Sequence, residues 1–153
     1  MRPIKNPATR SFLFLALSAF LFSFTPFGGD TFQIYVDKKL VIDQPLHNYA
    51  SIKTLQLDSK NPDGLVEIYY NHCGRIGKAR HLQVRDENNR ILKEWVFADA
   101  EGKNFMSCKV KDLLDLQKSN SKSQLNIYYT SKEMSKAQRL VSVGLSNSNK
   151  TTP

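Results

Sequence analysis

The chain has 153 residues, 41% of them hydrophobic and 24% charged, with two cysteines and a formal net charge of +8. That length fits one domain able to bury a modest core unaided. Much of the charge is local: without Arg2, Lys5 and Arg10 the 22 basic residues become 19 against 14 acidic ones, so +8 becomes +5. A surplus of that size aids solubility, argues only weakly for an anionic partner and, with no basic helix, gives no reason to expect nucleic acid.

The three N-terminal cations precede an apolar run from Phe12 to Phe24, broken only by Ser18 and Ser23. A positive start followed by about 7–15 apolar residues is the pattern of a secretory signal peptide. A membrane-spanning helix needs roughly 20 apolar residues, more than this run supplies. Residues 1–29 therefore read as a signal peptide for a secreted or periplasmic protein, cleaved between 19 and 29. Small residues at Ala16, Ser18 and Ala19, or at Thr25 to Gly29, offer the cut. An uncleaved anchor is the competing reading, and membrane contact is expected only in that case. The first cysteine is Cys73, too distant for lipid attachment at the cleavage site.

Residues 30–145 read as strands. Phe32, Ile34 and Val36 alternate with Gln33, Tyr35 and Asp37, the period of two that a half-buried strand requires. Lys38 and Lys39 make a polar break, Leu40-Val41-Ile42 follows as a hairpin partner, and Pro45 ends it. Ser51 to Leu57 is a weaker strand, with Leu55 and Leu57 in phase. Asn61-Pro62-Asp63-Gly64 is a turn, because Pro presets φ and Gly accepts a positive φ. Leu65 to Cys73 is the clearest strand. His81 to Arg85 and Ile91 to Phe97 flank Asp86-Glu87-Asn88-Asn89 as a hairpin.

Ala98 to Asn104 is polar and loop-like. Phe105 to Val110 reads as a strand with Met106, Cys108 and Val110 on one face. Lys111 to Lys118, with Leu113, Leu114 and Leu116, suits a single helical turn crossing the end of a sheet. Leu125 to Thr130 and Leu140 to Leu145 are the last strands, and the Ser/Asn/Thr/Lys-rich tail 146–153 is expected to be disordered. About eight short strands without a long amphipathic helix predict an all-β antiparallel sandwich, jelly-roll or immunoglobulin-like, with one short helical crossover. A barrel is the second choice.

Chemistry concentrates between Asn71 and His81, where two histidines, a cysteine, two glycines and three cations join two strands. Loops at sheet ends commonly carry binding residues, because a rigid scaffold holds them. Asn71, His72, Gly74, Arg75, Lys78, Arg80 and His81 are candidate ligand-binding residues. Glycine would let a carboxylate, sulfate or phosphate approach the backbone, with Arg75, Lys78 and Arg80 pairing its charge. The bland alternative is a glycine-bearing hairpin loop with solvated cations. Trp95 is a candidate for stacking on a sugar ring, against its ordinary role in a core.

Two cysteines in an exported protein are most simply a Cys73–Cys108 disulfide, closing a loop of about 35 residues worth roughly 3–4 kcal/mol. Met106 and Val110 share the face of Cys108, which looks core-facing. Cys73 shares its own face with Glu67 and Asn71, so two separate thiols remain the alternative.

A metal site on His72, Cys73, His81 and Cys108 lacks CxxC or HxxxH spacing, and no metal or other cofactor is expected. Catalysis has little support: no GxSxG element occurs, and Asp99 and Glu101 read as solvated charges. The segments IYYNHCGRIGKAR and LKEWVFAD, followed by MSCKVKDLL, are similar to a group of uncharacterised exported bacterial β-domain proteins. Cys73-Gly74 and Trp95-Val96-Phe97-Ala98-Asp99 carry that resemblance over Asp30 to Leu145. It implies a sandwich-like fold and bacterial export, and it implies no activity.

The expected function is thus an exported non-enzymatic module binding an envelope protein, a glycan or an anionic ligand. A small enzyme or metal protein using the segment from His72-Cys73 to His81 is the alternative.

Overall fold

A computed structural model describes residues 29–46, 51–100, 102–120 and 123–146. The signal-peptide reading of 1–28, Glu101 and the tail from 147 lie outside the described residues. Strands β1 (Thr31–Val36), β2 (Lys39–Pro45), β3 (Thr54–Asp58), β4 (Leu65–Asn71), β5 (Arg80–Arg85), β6 (Ile91–Phe97) and β7 (Met106–Lys109) precede helix α1 (Val110–Ser119). Strands β8 (Asn126–Thr130) and β9 (Gln138–Ser146) follow it.

They form two sheets, ordered β2-β1-β4-β7 and β3-β9-β8-β5-β6. All pairings are antiparallel except β3 with β9. The expected all-β sandwich is therefore present, with nine strands among the described residues.

Alternation sets which side chains meet between the sheets. Phe32, Ile34, Val66, Ile68, Tyr70, Met106 and Cys108 point inward from the first sheet. Leu55, Leu57, Leu82, Val84, Ile127 and Tyr129 face them from the second. The β1–β2 hairpin closes on Asp37 and Lys38 at φ 49° and 67°, the two positive φ values of a type I′ turn. Asp37 substitutes chemically for a turn glycine: its carboxylate accepts the Leu65 N–H at 2.9 Å and the Asn61 amide at 2.7 Å.

The Asn61–Gly64 turn in turn fixes the helix start. The carbonyls of Gly64 and Pro62 accept the N–H groups of Val110 and Lys111 at 2.9 Å each. The helix is longer than the single turn the sequence suggested, with ten residues and Val110, Leu113 and Leu114 buried. Ser146 also departs from the expectation of a tail, since it ends β9 opposite Asp58.

The disulfide is a correction: Cys73 and Cys108 are both free. Cys108 stands opposite Val66 on β4, whereas Cys73 lies seven positions further along the chain, past the end of that strand. At about 3.3 Å per residue this is roughly 20 Å, against the 7 Å or so that a bridge tolerates between Cα atoms. Burial pushes the Cys108 thiol up to about 12, so it behaves as a small apolar side chain. A thiol-reactive dye is expected to label one cysteine in the native protein and two in denaturant. A gain of two protons in mass on reduction, with no label on the native protein, would restore the bridge.

No helix among the described residues is long and apolar enough to cross a membrane.

Candidate functional site

Strands β4 and β5 belong to different sheets, so the segment between them crosses the end of the sandwich. The hairpin-loop reading is replaced by this crossover, which carries its own tight turn. His72 and Arg75 form a β-bridge around Cys73 and Gly74, whose φ values of 49° and 84° again define type I′. Gly74 suits that turn because glycine carries no Cβ penalty at positive φ. Cys73 and Ala79, the latter at φ 45°, bracket the crossover with two non-glycine residues in the left-handed region. Such outliers persist only where surrounding contacts hold them.

Those contacts are hydrogen bonds to two other connections. The Ala79 N–H donates to Asp99 Oδ1 at 2.9 Å, and the Ala100 N–H donates to the Gly77 carbonyl at 2.8 Å. Lys78 donates its N–H to Glu133 Oε2 at 3.0 Å, while its carbonyl accepts the Lys132 N–H at 2.9 Å. Arg80, only 2% exposed, directs Nε to the Ala98 carbonyl at 2.7 Å and Nη1 to the Asn104 carbonyl at 2.9 Å. Burial lowers its pKa, partly opposed by Tyr129 and Asp99. Residues 72–80, 98–100, 102–104 and 131–133 are thereby stitched into one rim.

Under that rim lies a polar cluster at the edge of the core. His72 is 2% exposed, with Nε2 2.8 Å from the Tyr129 hydroxyl and 3.2 Å from Ser131 Oγ. Its Nδ1 is sealed from solvent without hydrogen-bond geometry to any group among the described residues. Asp30 Oδ2 stands 3.5 Å from that nitrogen and accepts the Tyr70 hydroxyl at 2.9 Å. The Tyr70 and Tyr129 rings, one from each sheet, stack with centroids 4.1 Å apart and 23° between planes.

Burial pushes the Tyr129 hydroxyl up to about 12, which keeps it a donor. Burial also lowers His72 from 6.5, opposed chiefly by Asp30, and favours a neutral ring. The neutral tautomer that satisfies most partners has its proton on Nδ1, facing Asp30, and accepts the Tyr129 phenol at Nε2.

The sign of the resulting pH dependence follows from these protonation states. Below 6.5 the unfolded chain takes up a proton on His72 that the folded chain resists. Stability should fall as pH drops from 6.5 toward the lowered folded-state value, then level for this group. Urea midpoints measured across that window should slope in the native protein and flatten in His72→Phe. Equal slopes in the two proteins would refute the assignment.

Asp30, His72 and Ser131 run in the order of a serine-hydrolase relay. Two features separate them from one. The Tyr129 phenol occupies His72 Nε2 more closely than Ser131 does, and neither hydroxyl residue is among the described residues lining the cleft beside Gly77. Gly77 packs close against the phenol and the imidazole: a Cβ there would stand 2.9 Å from the Tyr129 oxygen and 3.1 Å from His72 Cδ2.

The open space lies on the other side of Gly77. A cleft of about 300 Å³ has Tyr70, His72 and Gly77 among its lining residues, with Asn71, Arg75 and Lys103 also contributing. The Lys103 ammonium lies 5.6 Å from the Tyr35 ring centroid, 5.5 Å from Tyr69 and 5.4 Å from Phe105. Tyr35 and Phe105 meet edge to face at 5.4 Å.

Of the sequence candidates, Asn71, His72, Gly74 and Arg75 line this cleft, but Lys78, Arg80, His81 and Trp95 do not. The proposed trio of cations does not assemble, because the Arg80 guanidinium is spent on backbone carbonyls. His81 meets Glu94 at 3.1 Å on the outer face of the second sheet. Trp95 packs against the core, with Lys93 5.8 Å from its ring. Among the described residues no group of three or more His, Cys, Asp or Glu converges as metal ligands do.

Sequence reasoning missed Lys103, Tyr129 and Ser131. Lys103 carries no local signal beyond its place in a polar loop, and the other two read as ordinary strand-end residues. Asp99, taken as solvated, instead holds the Ala79 amide.

The fold and cleft define a β-sandwich with a composite site at one end. The chain matches no protein-family model and no curated protein.

Proposed function

We propose that the protein is an exported, non-enzymatic binding module whose ligand occupies the cleft beside Gly77. One observation carries this reading: hydrogen bonds join three separate connections into the cleft's rim, while cationic and polar side chains remain exposed upon it. A site of that kind binds with little ordering cost, because its walls are in place before the ligand arrives. The burial of Ser131, outside the cleft lining, supports binding over hydrolysis. Export rests on the N-terminal pattern, and an envelope setting is the natural location for such a module.

A fragment screen by amide chemical shifts tests the site, using neutral sugars, acidic sugars, amino acids and short peptides as probes. Shifts confined to 71–77 and 100–103 are expected, with every probe recovered unchanged. Shifts mapping elsewhere would move the site. Cleavage of an activated ester that is lost in Ser131→Ala would replace binding by catalysis. Fractionation of cells expressing the full chain tests export, and a wholly cytoplasmic protein would end that part of the proposal.

A further inference from the structure

We infer that the cleft is an oxyanion receptor: Arg75 and Lys103 grip a carboxylate, sulfate or phosphate on a ligand whose apolar flank rests on Ile76. The inference rests on the binding reading above and names the chemistry of its ligand. Arg75 and Lys103 come from different connections, yet both line the same cleft. None of the described lining residues is acidic. The nearby carboxylates have other tasks: Asp99 and Glu133 hold the amides of Ala79 and Lys78, and Asp30 accepts the Tyr70 hydroxyl. Among the described lining residues the charged groups are therefore the two cations, placed in a concave site where field lines focus, while Asp30, Asp99 and Glu133 keep their charge outside that lining.

The two cations are suited to the task in different ways. Lys103 is held over three aromatic rings, and Tyr35 Oη lies 3.4 Å from Nζ. That ring cluster restrains a side chain that otherwise loses considerable rotamer freedom on binding, and it strips water from one side of the ammonium. Arg75 follows directly on the type I′ turn, which fixes its backbone, and its planar fork suits two oxygens at once.

A third observation concerns the floor. His72 lines the cleft while 2% exposed, its Nδ1 facing Asp30 Oδ2 at 3.5 Å and its Nε2 taken by Tyr129 and Ser131, so the floor is a neutral, polar surface. Ile76 is 53% exposed beside these groups, an apolar surface next to the charged pair.

Lys78 provides an internal control. It belongs to the same crossover and is exposed, but it does not line the cleft. Simple attraction to a basic loop would use it as readily as Arg75.

The test titrates the protein, purified from the cell compartment that holds it, with sodium galacturonate, inorganic sulfate, inorganic phosphate and neutral galactose. Amide shifts at Arg75, Gly77 and Gly102 report occupancy. At least one of the three anions should saturate these shifts while galactose does not, and the order among the anions identifies the natural oxyanion. Arg75→Gln and Lys103→Gln should each raise the Kd by about tenfold, and Lys78→Gln should leave it unchanged.

Both substituted residues are exposed. Unchanged thermal melting of the variants therefore separates lost binding from lost folding.

Galactose binding as tightly as galacturonate in the cleft would overturn the oxyanion inference and leave the binding module standing. Equal losses in Lys78→Gln and Arg75→Gln would reduce the effect to diffuse charge. No saturable shift with any anion, alongside fragments that do bind the cleft, would overturn the inference alone. Failure of every fragment to bind there would remove the underlying reading as well.

Discussion

Tyr129→Ala is expected to lower the unfolding free energy by about 3–5 kcal/mol, the usual loss when a buried aromatic side chain is truncated. Small domains hold about 5–15 kcal/mol in total, so this one change should bring the protein close to its folding limit. The size of the effect reflects where the ring stands. Tyr129 is fully buried, reaches across from the second sheet to stack on Tyr70 of the first, and pairs along β5 with Leu82. Its removal empties the end of the core directly beneath the cleft.

Tyr129→Phe separates packing from the polar cluster. It keeps the stack but leaves His72 Nε2 with Ser131 at 3.2 Å as its remaining partner, at an expected cost of about 1–2 kcal/mol. Urea unfolding with unchanged m-values provides the measurement. Equal midpoints for Tyr129→Phe and the native protein would show that the phenol–imidazole bond contributes nothing.

Arg80→Met carries the second large effect, expected at roughly 2–4 kcal/mol. Methionine fills the volume of the side-chain stem but removes the buried guanidinium that donates to the Ala98 and Asn104 carbonyls and ties their connection to β5. The damage should be regional as well as global. Amide exchange at Ala79 and Ala100 should quicken, because their hydrogen bonds join the same connections that Arg80 ties. Ligand shifts in the cleft should weaken with it, although Arg80 does not line the cleft.

Arg90 is the contrasting case. Its side chain is 69% exposed beside Asp86, whose carboxylate also accepts the Arg90 backbone N–H. Arg90→Ala should therefore change stability by no more than about 0.5 kcal/mol. A comparable loss in both arginine variants would remove the special role assigned to Arg80.

These two arginines show what a linear reading can and cannot supply. Both appear in the sequence as cations at strand boundaries, and Arg80 was grouped with Arg75 and Lys78 because they share a short segment. Burial separates them. The crossover passes from one sheet to the other, and the inward course of its last residue turns Arg80 into a clamp. Arg75 remains at the cleft, and its partner comes from a connection 28 positions further on, at Lys103. No local pattern marks that pairing.

The same contrast explains the cysteines. An expectation of export makes a bridge the simplest reading of two cysteines, yet pairing of β7 with β4 places Cys108 beside Val66 and leaves Cys73 beyond the strand end. Strand register decides the distance, and cysteine count does not.

What the sequence by itself determined is local. Alternation of apolar and polar residues set the inward faces of β1, β3 and β4, and turn residues placed the breaks near Lys38, Asn61 and Asp86. These are properties of a few consecutive residues: the pleat has a period of two, and tight turns demand particular φ values. Tertiary structure alone decided the parallel β3–β9 pairing, the crossover between sheets, the His72–Tyr129–Ser131 cluster and the Arg75–Lys103 cleft. Each depends on strands distant in sequence sharing one core, and that arrangement is set by packing and register over the whole domain.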